Sequence, residues 1–276
     1  MDAMRTEKVA RHYAPAQLYA RIAEGLRASG LDPELLQPSD LDLVDQFHTR
    51  GRPATMQLAY LAGLRPGMRV IDLGGGLGGP ARALASERGC DVTVIDLSDE
   101  FCRAGELLTR ATGLSGQVRF RVGDATEVPM HDGSFDVAWT QHSTMNIDDK
   151  AALYREARRL VQPGGLLAIH EVAAGPVQPI HFPVPWASVP DISFLVPPAH
   201  MRELIAAAGF EEIVWRDVSA ESLAWYRERA SAATPGQPPL GLHLLLGESF
   251  AECFRNLVAN AEQSRTAIVQ GLFRRA

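Results

Sequence analysis

The 276-residue chain is poor in cysteine, has no cationic surplus and contains no long apolar run. Its three cysteines, Cys90, Cys102 and Cys253, form no CxxC pair and cannot all pair with one another, which favours a reducing, cytoplasmic location. Lys and Arg number 27 against 33 Asp and Glu, so the net charge of −6 argues against nucleic acid and anionic membranes as partners. No stretch approaches the roughly 18 apolar residues of a membrane span. The histidines show no HExxH spacing, so no metal is predicted.

Short β-rich apolar runs alternate with helical stretches between residues 68 and 172, which is typical of a parallel sheet covered by helices. Two further runs, 212–218 and 266–275, follow later in the chain. We therefore predict an α/β fold with a Rossmann-like, seven-stranded, mostly parallel sheet that has helices on both faces. The first five predicted strands are 68–73, 91–96, 117–122, 135–140 and 166–172.

The segments on either side of this core differ from it in pattern. Leu18, Ile22 and Leu26 show helical periodicity, and residues 1–63 are predicted to form a helical cap on a core of residues 64–276. Residues 176–198 contain seven prolines, which predicts a stiff, irregular insertion at 174–200. The stretch 231–241 reads as a connection.

A glycine-rich turn, Asp72-Leu73-Gly74-Gly75-Gly76-Leu77-Gly78-Gly79, joins the first strand to the first helix. Glycine lets the backbone adopt unusual dihedrals and approach a ligand closely, so the turn predicts a cofactor site. The spacing also fits the dinucleotide motif GxGxxG, with Asp96 in the place of the ribose-binding acid. Asp72 would repel a pyrophosphate, which disfavours a dinucleotide, but the spacing alone leaves the cofactor open.

Further motifs follow the later strands. Gly123-Asp124-Ala125 follows the third strand, and Gln162-Pro163-Gly164-Gly165 precedes the fifth. Together with the glycine turn, these motifs resemble class I S-adenosylmethionine-dependent methyltransferases over residues 68–172. The segments 45–55 and 141–150 are similar to the small-molecule branch, which includes ubiquinone/menaquinone and sarcosine/dimethylglycine methyltransferases.

The resemblance implies S-adenosylmethionine as cofactor and S-adenosylhomocysteine as product. It assigns the glycine turn and Asp72 to the methionine part of the cofactor and Asp96 to the ribose. Leu97, Asp124 and Ala125 are assigned to adenine. Thr140 and Gln141, at the end of the fourth strand, are assigned to the methionine part and the reactive methyl. The family often has Cys, Ser or Ala where this chain has Gly75, a departure expected to loosen the turn. The cofactor residues carried over are Asp72, Gly74, Gly76, Gly78, Asp96, Leu97, Asp124, Ala125, Thr140 and Gln141.

The acceptor is predicted to be a small organic molecule with an apolar portion. His142 and Glu171 follow strands at the carboxyl edge of the sheet and are the candidate catalytic bases. A loop-capping role for His142 and a backbone or Arg50 contact for Glu171 are the alternatives. His170 alternates with Glu171, so one of the two faces the site. The predicted substrate-binding residues are His48, Phe182, Trp186, Phe194, Trp225 and Tyr226.

Several readings stay open at this stage. The methylated atom is N, O or C, and a prenyl-diphosphate or sterol C-methyltransferase with Glu171 as base is an alternative. A nicotinamide-dependent oxidoreductase is disfavoured because no Tyr-x-x-x-Lys pair is recognised, and a non-enzymatic cofactor-binding module is a third class. The Gln141-His142-Ser143-Thr144 stretch differs from the D/N-P-P-Y/F of nucleic-acid amine methyltransferases. The sequence leaves the oligomeric state open.

Overall fold

The computed structural model describes residues 8–9, 12–13, 17–231 and 238–276. Its strands form one seven-stranded sheet in the order β3-β2-β1-β4-β5-β7-β6, in which β7 runs antiparallel to β5 and β6 and the other pairs are parallel. The predicted fold class is confirmed. The strands are β1 (Arg69–Leu73), β2 (Asp91–Asp96), β3 (Val118–Val122), β4 (Phe135–Gln141), β5 (Val161–Ala174), β6 (Phe210–Asp217) and β7 (Thr266–Arg275).

The fifth strand is longer than its sequence predicts. Val161 already pairs with Phe135, and regular pairing resumes at Val137 and Leu166 after an irregularity that takes up the Pro-Gly-Gly stretch. At the other end, antiparallel pairing with β7 extends the strand to Ala174. The predicted strand 166–172 was too short at both ends. The Pro-Gly-Gly stretch is typical of a turn, so the pair Val161–Phe135 was not expected. The pairing that extends the strand to Ala174 involves a strand about 100 residues away, which local pattern does not indicate.

Helices cover the sheet, and local capping fixes where two of them begin and end. Gly89 adopts a left-handed φ of 67° at the end of the helix Gly79–Arg88, and Asp149 accepts a hydrogen bond from the Ala152 amide at the start of the helix Lys150–Leu160. The helices are α1 (Leu18–Ala28), α2 (Asp42–Asp45), α3 (Gly51–Leu61), α4 (Gly79–Arg88), α5 (Asp99–Ala111), α6 (Lys150–Leu160), α7 (Pro198–Ala207), α8 (Ser219–Ser231), α9 (His243–Leu246) and α10 (Phe250–Glu262).

The N-terminal helices pack on the core. The predicted apolar face of α1, Leu18, Ile22 and Leu26, is fully buried and belongs to one cluster with Phe101 and Leu108 of α5. Helix α3 begins at Gly51. Its buried face consists of Ala54, Thr55, Leu58 and Ala59. The domain division at residue 63 stays a prediction, and residues 232–237 of the predicted connection lie outside the described residues.

A buried ion pair joins the N-terminal helices to the core. Arg82 of α4 donates to Asp45 of α2 at 2.8 Å, and both side chains are 1% exposed. The same guanidinium donates to the Leu77 carbonyl at 2.7 Å, the Thr109 hydroxyl at 2.8 Å and the Gly105 carbonyl at 3.3 Å. Because a buried guanidinium requires such partners, these bonds fix the position of α2 over the glycine turn.

The part of the chain with described coordinates contains no helix long and apolar enough to cross a bilayer. The same residues contain no group of three or more His, Cys, Asp or Glu side chains placed to hold a metal ion. The three cysteines are buried and unpaired.

We expect Arg82→Met to lower the free energy of unfolding by about 3–5 kcal/mol, because Asp45 would remain buried without its counter-charge. Urea denaturation of the two chains measures this loss. In the double variant Arg82→Met with Asp45→Leu, much of the loss should be recovered, since no unpaired charge remains. Arg103→Met, which removes the exposed pair with Asp99, is the control and should change stability little. A loss for Arg82→Met no larger than for this control would contradict the prediction.

Candidate active site

A large cavity lies at the carboxyl edge of the sheet, where the segments after β1, β2, β3 and β4 meet. Its volume is about 1180 Å³. A single ligand typically occupies a pocket of roughly 300–1,000 Å³, so this cavity has room for two molecules. The inner wall is the glycine turn, and the outer wall comes from residues 42–51, the insertion after β5 and helices α8 to α10.

The glycine turn adopts backbone conformations that favour glycine. Gly74, Gly76 and Gly78 have φ values of 79°, 56° and 76°. A Cβ on Gly74 would lie 2.5 Å from the Ser143 Cβ, so the turn and the loop after β4 are in close contact. Gly74 and Gly76 line the cavity, whereas Gly78 is packed against Phe120, where a Cβ would lie 2.5 Å away. Gly78 therefore serves helix packing in this fold, and its predicted cofactor contact stays a prediction.

Asp72 ends β1 as a buried carboxylate that lines the cavity. It is 1% exposed, and its Oδ2 has no hydrogen-bond partner among the described residues. Burial, together with the nearby charges of Asp96 and Glu171, raises the pKa of Asp72 to about 8. A Cβ on Gly75 would lie 2.5 Å from this oxygen, so glycine is required here and does not loosen the turn. Asp72 is therefore an acceptor available to a donor or cation in the cavity.

Asp96 and Asp124 follow β2 and β3 and also line the cavity. Asp96 accepts the Gly76 amide at 2.8 Å and the Ser98 amide at 2.9 Å, one on each oxygen. Each carboxylate oxygen has a second lone pair, so Asp96 can still accept two hydroxyl groups. Asp124 accepts both donors of Thr126 through Oδ1. Leu97 and Ala125, predicted beside adenine, line the same cavity.

The Gln141 amide is held in one orientation. Its Oε1 accepts the Trp139 indole N–H at 3.1 Å and the Thr55 hydroxyl at 3.2 Å. An indole N–H can only donate, so the amide oxygen must face Trp139 and the amide nitrogen must face away from it. That nitrogen has no hydrogen-bond partner among the described residues. Gln141 thus offers a fixed donor at the cavity wall, and its predicted cofactor contact stays a prediction.

Three histidines form a cluster at this wall. The ring centroids of His142 and His170 lie 5.0 Å apart, and the ring of His48 lies 6.1 and 6.0 Å from them. Burial lowers the pKa of His48 to about 4 and that of His142 and His170 well below the ordinary value, with mutual repulsion as a smaller cause for His142 and His170. The imidazoles are therefore neutral at pH 7.

His142 and His48 line the cavity, and His170 does not. His142 has a φ of 52°, a left-handed conformation that is uncommon outside glycine and often marks a functional position. The His48 Nε2 lies 2.9 Å from the Gly51 carbonyl, which can only accept, so this nitrogen carries the proton. His142 thus lies at the cavity wall, and its predicted role as a base stays a prediction.

Glu171 does not line the cavity, and its predicted role as a base stays a prediction. Its Oε2 accepts the amides of Ser143 and Thr144 at 3.2 Å and the Thr144 hydroxyl at 2.9 Å. Burial raises its pKa to about 7, and the bonds from Thr140 and Thr144 partly offset this rise. Glu171 holds the loop that carries His142, which matches the backbone-amide alternative considered from the sequence.

The predicted aromatic wall is only partly in place. Trp186, Trp225 and Tyr226 line the cavity, whereas Phe182 and Phe194 do not. Phe182 packs against the apolar cluster under the insertion, and the Phe194 amide donates to the Met145 carbonyl at 2.8 Å. The turns of the insertion carry these two rings away from the site, which proline content alone could not predict.

Other cavity residues were missing from the sequence prediction. The Tyr13 hydroxyl donates to Asn146 at 2.8 Å, and the Tyr13 carbonyl accepts the Ser98 hydroxyl at 2.7 Å, so this residue crosses from β2 to the loop after β4. Nothing in the sequence around Tyr13 indicates such a position. Phe250 and Phe254 stand four residues apart, and this helical spacing could have marked a common face.

Comparison with known proteins places residues 71–169 in a family described as a methyltransferase domain. Two relatives are a sterol 24-C-methyltransferase of Gibberella zeae and a glycine/sarcosine/dimethylglycine N-methyltransferase of Actinopolyspora halophila. The first is 36% identical over 115 residues, which are 41% of this chain and 30% of the relative. The second is 28% identical over 175 residues, which are 63% of this chain and 31% of the relative. The chain thus spans about a third of the length of these relatives.

Among solved structures, the chain is similar to geranyl diphosphate C-methyltransferase from Streptomyces coelicolor A3(2), in a complex that includes S-adenosyl-L-homocysteine. The TM-score is 0.70 at 19% identity, with 100% of this chain and 99% of the other covered. This likeness establishes the fold. Residues 71–169 are a methyltransferase domain, and the resemblance predicted from the motifs is confirmed.

The buried Asp72 predicts a pH dependence of stability. Its carboxyl titrates near 8 in the folded chain and near 3.8 when unfolded, so the unfolded state releases the proton first as the pH rises. The free energy of unfolding should therefore fall between about pH 4 and pH 8. Asp72→Asn removes this titration, so its stability relative to the native chain should increase with pH over that window and then level off.

Urea denaturation at several pH values measures this difference. Asp91→Asn, at the amino end of the neighbouring strand β2, is the control. Its stability difference from the native chain should not change over this pH range. A stability difference between Asp72→Asn and the native chain that stays constant from pH 4 to pH 8 would rule out the raised pKa.

Proposed function

We propose that this chain transfers a methyl group from S-adenosylmethionine to a small organic acceptor with an apolar portion and releases S-adenosylhomocysteine. The observation that carries the proposal is the unpartnered Asp72 Oδ2, buried beside a glycine turn in a cavity large enough for two molecules. A buried carboxylate without a counter-charge fits a cationic ammonium group and does not fit a pyrophosphate. The methyltransferase domain at residues 71–169 supports the same assignment.

The residues present fit this cofactor. Asp72 would accept the ammonium group of the methionine part, and Asp96 would accept the two ribose hydroxyls with its remaining lone pairs. Leu97, Asp124 and Ala125 lie together on the wall where the adenine would be held. When bound, the sulfonium supplies an electrophilic methyl group and leaves as a neutral thioether.

The protein's own part in the reaction is to exclude water, orient the acceptor and receive its proton where one is released. His142 lines the cavity as a neutral imidazole, so it can accept a hydrogen bond or proton from the nucleophilic atom. Glu171 acts through the loop, because its three hydrogen bonds fix the residues that follow His142. Glu171 is thus proposed as a positioning residue.

A carbon acceptor is the second candidate. Two of the similar proteins, a sterol 24-C-methyltransferase and a geranyl diphosphate C-methyltransferase, are named for methylation of a carbon atom, and methylation of an alkene carbon would form a carbocation. The aromatic side chains of Trp186, Trp225 and Tyr226 in the cavity suit the cationic carbon that such a methylation forms. The placement of Glu171 behind the loop argues against it as the base in that reaction.

The small-molecule acceptor is the one binding partner that we propose besides the cofactor. A cytoplasmic location stays a prediction based on the three unpaired cysteines.

We expect Asp96→Ala to weaken S-adenosylmethionine binding by about 1.5–3 kcal/mol, which is the scale of hydrogen bonds to a charged group. Calorimetric titration measures the affinity. Asp91→Ala, on the same strand but at its amino end, is the matched control and should bind like the native chain. Equal affinities for the native chain and Asp96→Ala would remove Asp96 from the cofactor site.

We expect His142→Ala to lower turnover by about 100-fold, the smaller end of general-base effects, while cofactor affinity changes little. Glu171→Gln should also lower turnover, because a neutral amide accepts the loop's hydrogen bonds more weakly. Single-turnover methyl transfer from labelled cofactor to an acceptor found in a metabolite screen gives the rates. His200→Ala, an exposed histidine beside Glu203, is the control. A full rate in His142→Ala would show that the acceptor needs no base at this position, and a full rate in Glu171→Gln would remove the positioning role of Glu171.

A further inference from the structure

Aromatic rings form a continuous row along the outer wall of the cavity. The Tyr226 and Phe254 centroids lie 6.4 Å apart, and those of Phe254 and Phe250 lie 6.3 Å apart. Trp225 contacts Tyr226 at 5.5 Å, and His243 contacts Phe250 at 6.1 Å. Helices α8, α9 and α10 supply these residues, all of which line the cavity. The row offers an extended apolar surface and not a compact pocket.

Within this outer wall, the Tyr226 end of the row lies beside the groups proposed to meet the acceptor. Tyr226 is 1% exposed, and its hydroxyl shares a hydrogen bond with the Thr49 hydroxyl. Thr49 follows His48, whose ring lies 6.1 Å from that of His142. The polar groups at this end, His48, Thr49, Gln141, His142 and Tyr226, are therefore uncharged hydrogen-bonding groups.

The charges of the described cavity wall are mostly negative. Its cations are Arg229 and Arg255, and the Arg229 guanidinium lies over the Trp225 ring at 4.6 Å. Both arginines belong to the outer helices and not to the end that holds His142. A phosphate or carboxylate at the end of the cavity that holds His142 would be desolvated without a cationic partner. The acidic residues of the wall are Asp42, Asp45, Asp72, Asp96, Asp124, Glu228 and Glu248.

We propose that the acceptor is an uncharged, elongated lipophilic molecule. Its nucleophilic end lies among His48, Gln141 and His142, and its chain lies along the row from Tyr226 through Phe254 to Phe250. This inference rests on the proposed methyl transfer, since it names the class of molecule that the same cavity accepts. It excludes prenyl phosphates, phosphorylated amines and small amino acids as acceptors.

The test compares ligands that share one chain and differ in their head group. Decanol, decyl phosphate and decylammonium are titrated, below their aggregation limits, into the full chain saturated with S-adenosylhomocysteine. Trp186 and Trp225 line the cavity, so quenching of tryptophan fluorescence reports binding. We expect decanol to bind at least tenfold more tightly than decyl phosphate and more tightly than decylammonium.

Chain length is varied in the same assay with butanol, hexanol, octanol and decanol. Each buried methylene contributes about 0.8 kcal/mol, close to a fourfold gain in affinity, so the affinity should rise steadily along the series. An affinity that levels off at hexanol would overturn the elongated shape. If decyl phosphate binds as tightly as decanol or more tightly, the head group is not uncharged, and Arg229 and Arg255 are assigned to an anion. If decylammonium binds more tightly than decanol, the head group is a cation.

Two variants show whether the bound chain lies along the row. Phe254→Ala should weaken decanol at least fivefold while it leaves the affinity for S-adenosylhomocysteine unchanged, which also shows that the variant is folded. Tyr60→Ala removes an exposed ring outside the cavity and is the control. If Phe254→Ala binds decanol as the native chain does, the chain does not lie along the row.

Failure of the proposed function gives a different result. Calorimetric titration of S-adenosylhomocysteine comes first, and its failure to bind contradicts the methyl-transfer proposal by itself. The alcohol and phosphate titrations are then repeated without cofactor, where the same head-group and chain-length preferences are expected. A cofactor that binds, together with the opposite preferences, contradicts the acceptor class alone.

Discussion

The cavity depends on the ion pair between Arg82 and Asp45. The glycine turn and its acids belong to the sheet, whereas His48 and Thr49 belong to the segment that follows α2. Arg82 joins the two parts through Asp45 on one side and through Leu77, Gly105 and Thr109 on the other. Apolar contacts of α1 with α5 add to this attachment, but they do not fix the direction of a polar group as a guanidinium does.

Three carboxyl groups at the carboxyl edge of the sheet set the electrostatics of the site. Asp72 and Glu171 are buried and Asp96 is half-buried, and desolvation raises the pKa of each of them. Backbone amides and hydroxyls bind both oxygens of Asp96 and one oxygen of Glu171, whereas Asp72 lines the cavity with an oxygen that has no partner among the described residues. Because burial raises the pKa of Asp72 to about 8, this group is mainly protonated at neutral pH, and a bound cation beside it would favour its ionised form.

Local pattern was sufficient to predict the sheet and the glycine turn. The strands at 91–96 and 266–275 were predicted to the residue, because alternating or continuous apolar runs end at clear turn signals. The cofactor side followed from motifs within about 100 residues, where spacing along the chain fixes spacing in the fold.

The acceptor side was harder to predict because its residues come from distant segments. Glu171 and Gln141 have roles set by partners that the sequence does not reveal, namely the amides after His142 and the Trp139 indole. Phe182 and Phe194 share the insertion with Trp186, yet the turns of that insertion carry only Trp186 into the cavity. Tyr13 reaches Asn146 across 133 positions of chain, and no local signal records such a contact.

The three hydrogen bonds to one oxygen of Glu171 have a further consequence. They make the loop after β4 an anion-binding nest that the protein fills with its own side chain. The loop is held by hydrogen bonds to a carboxyl group in addition to the apolar packing of Met145 and Ile147. If Glu171 were shortened to alanine, the vacated nest would have the size and polarity to take formate from the buffer, and small carboxylates would restore the loop by chemical rescue.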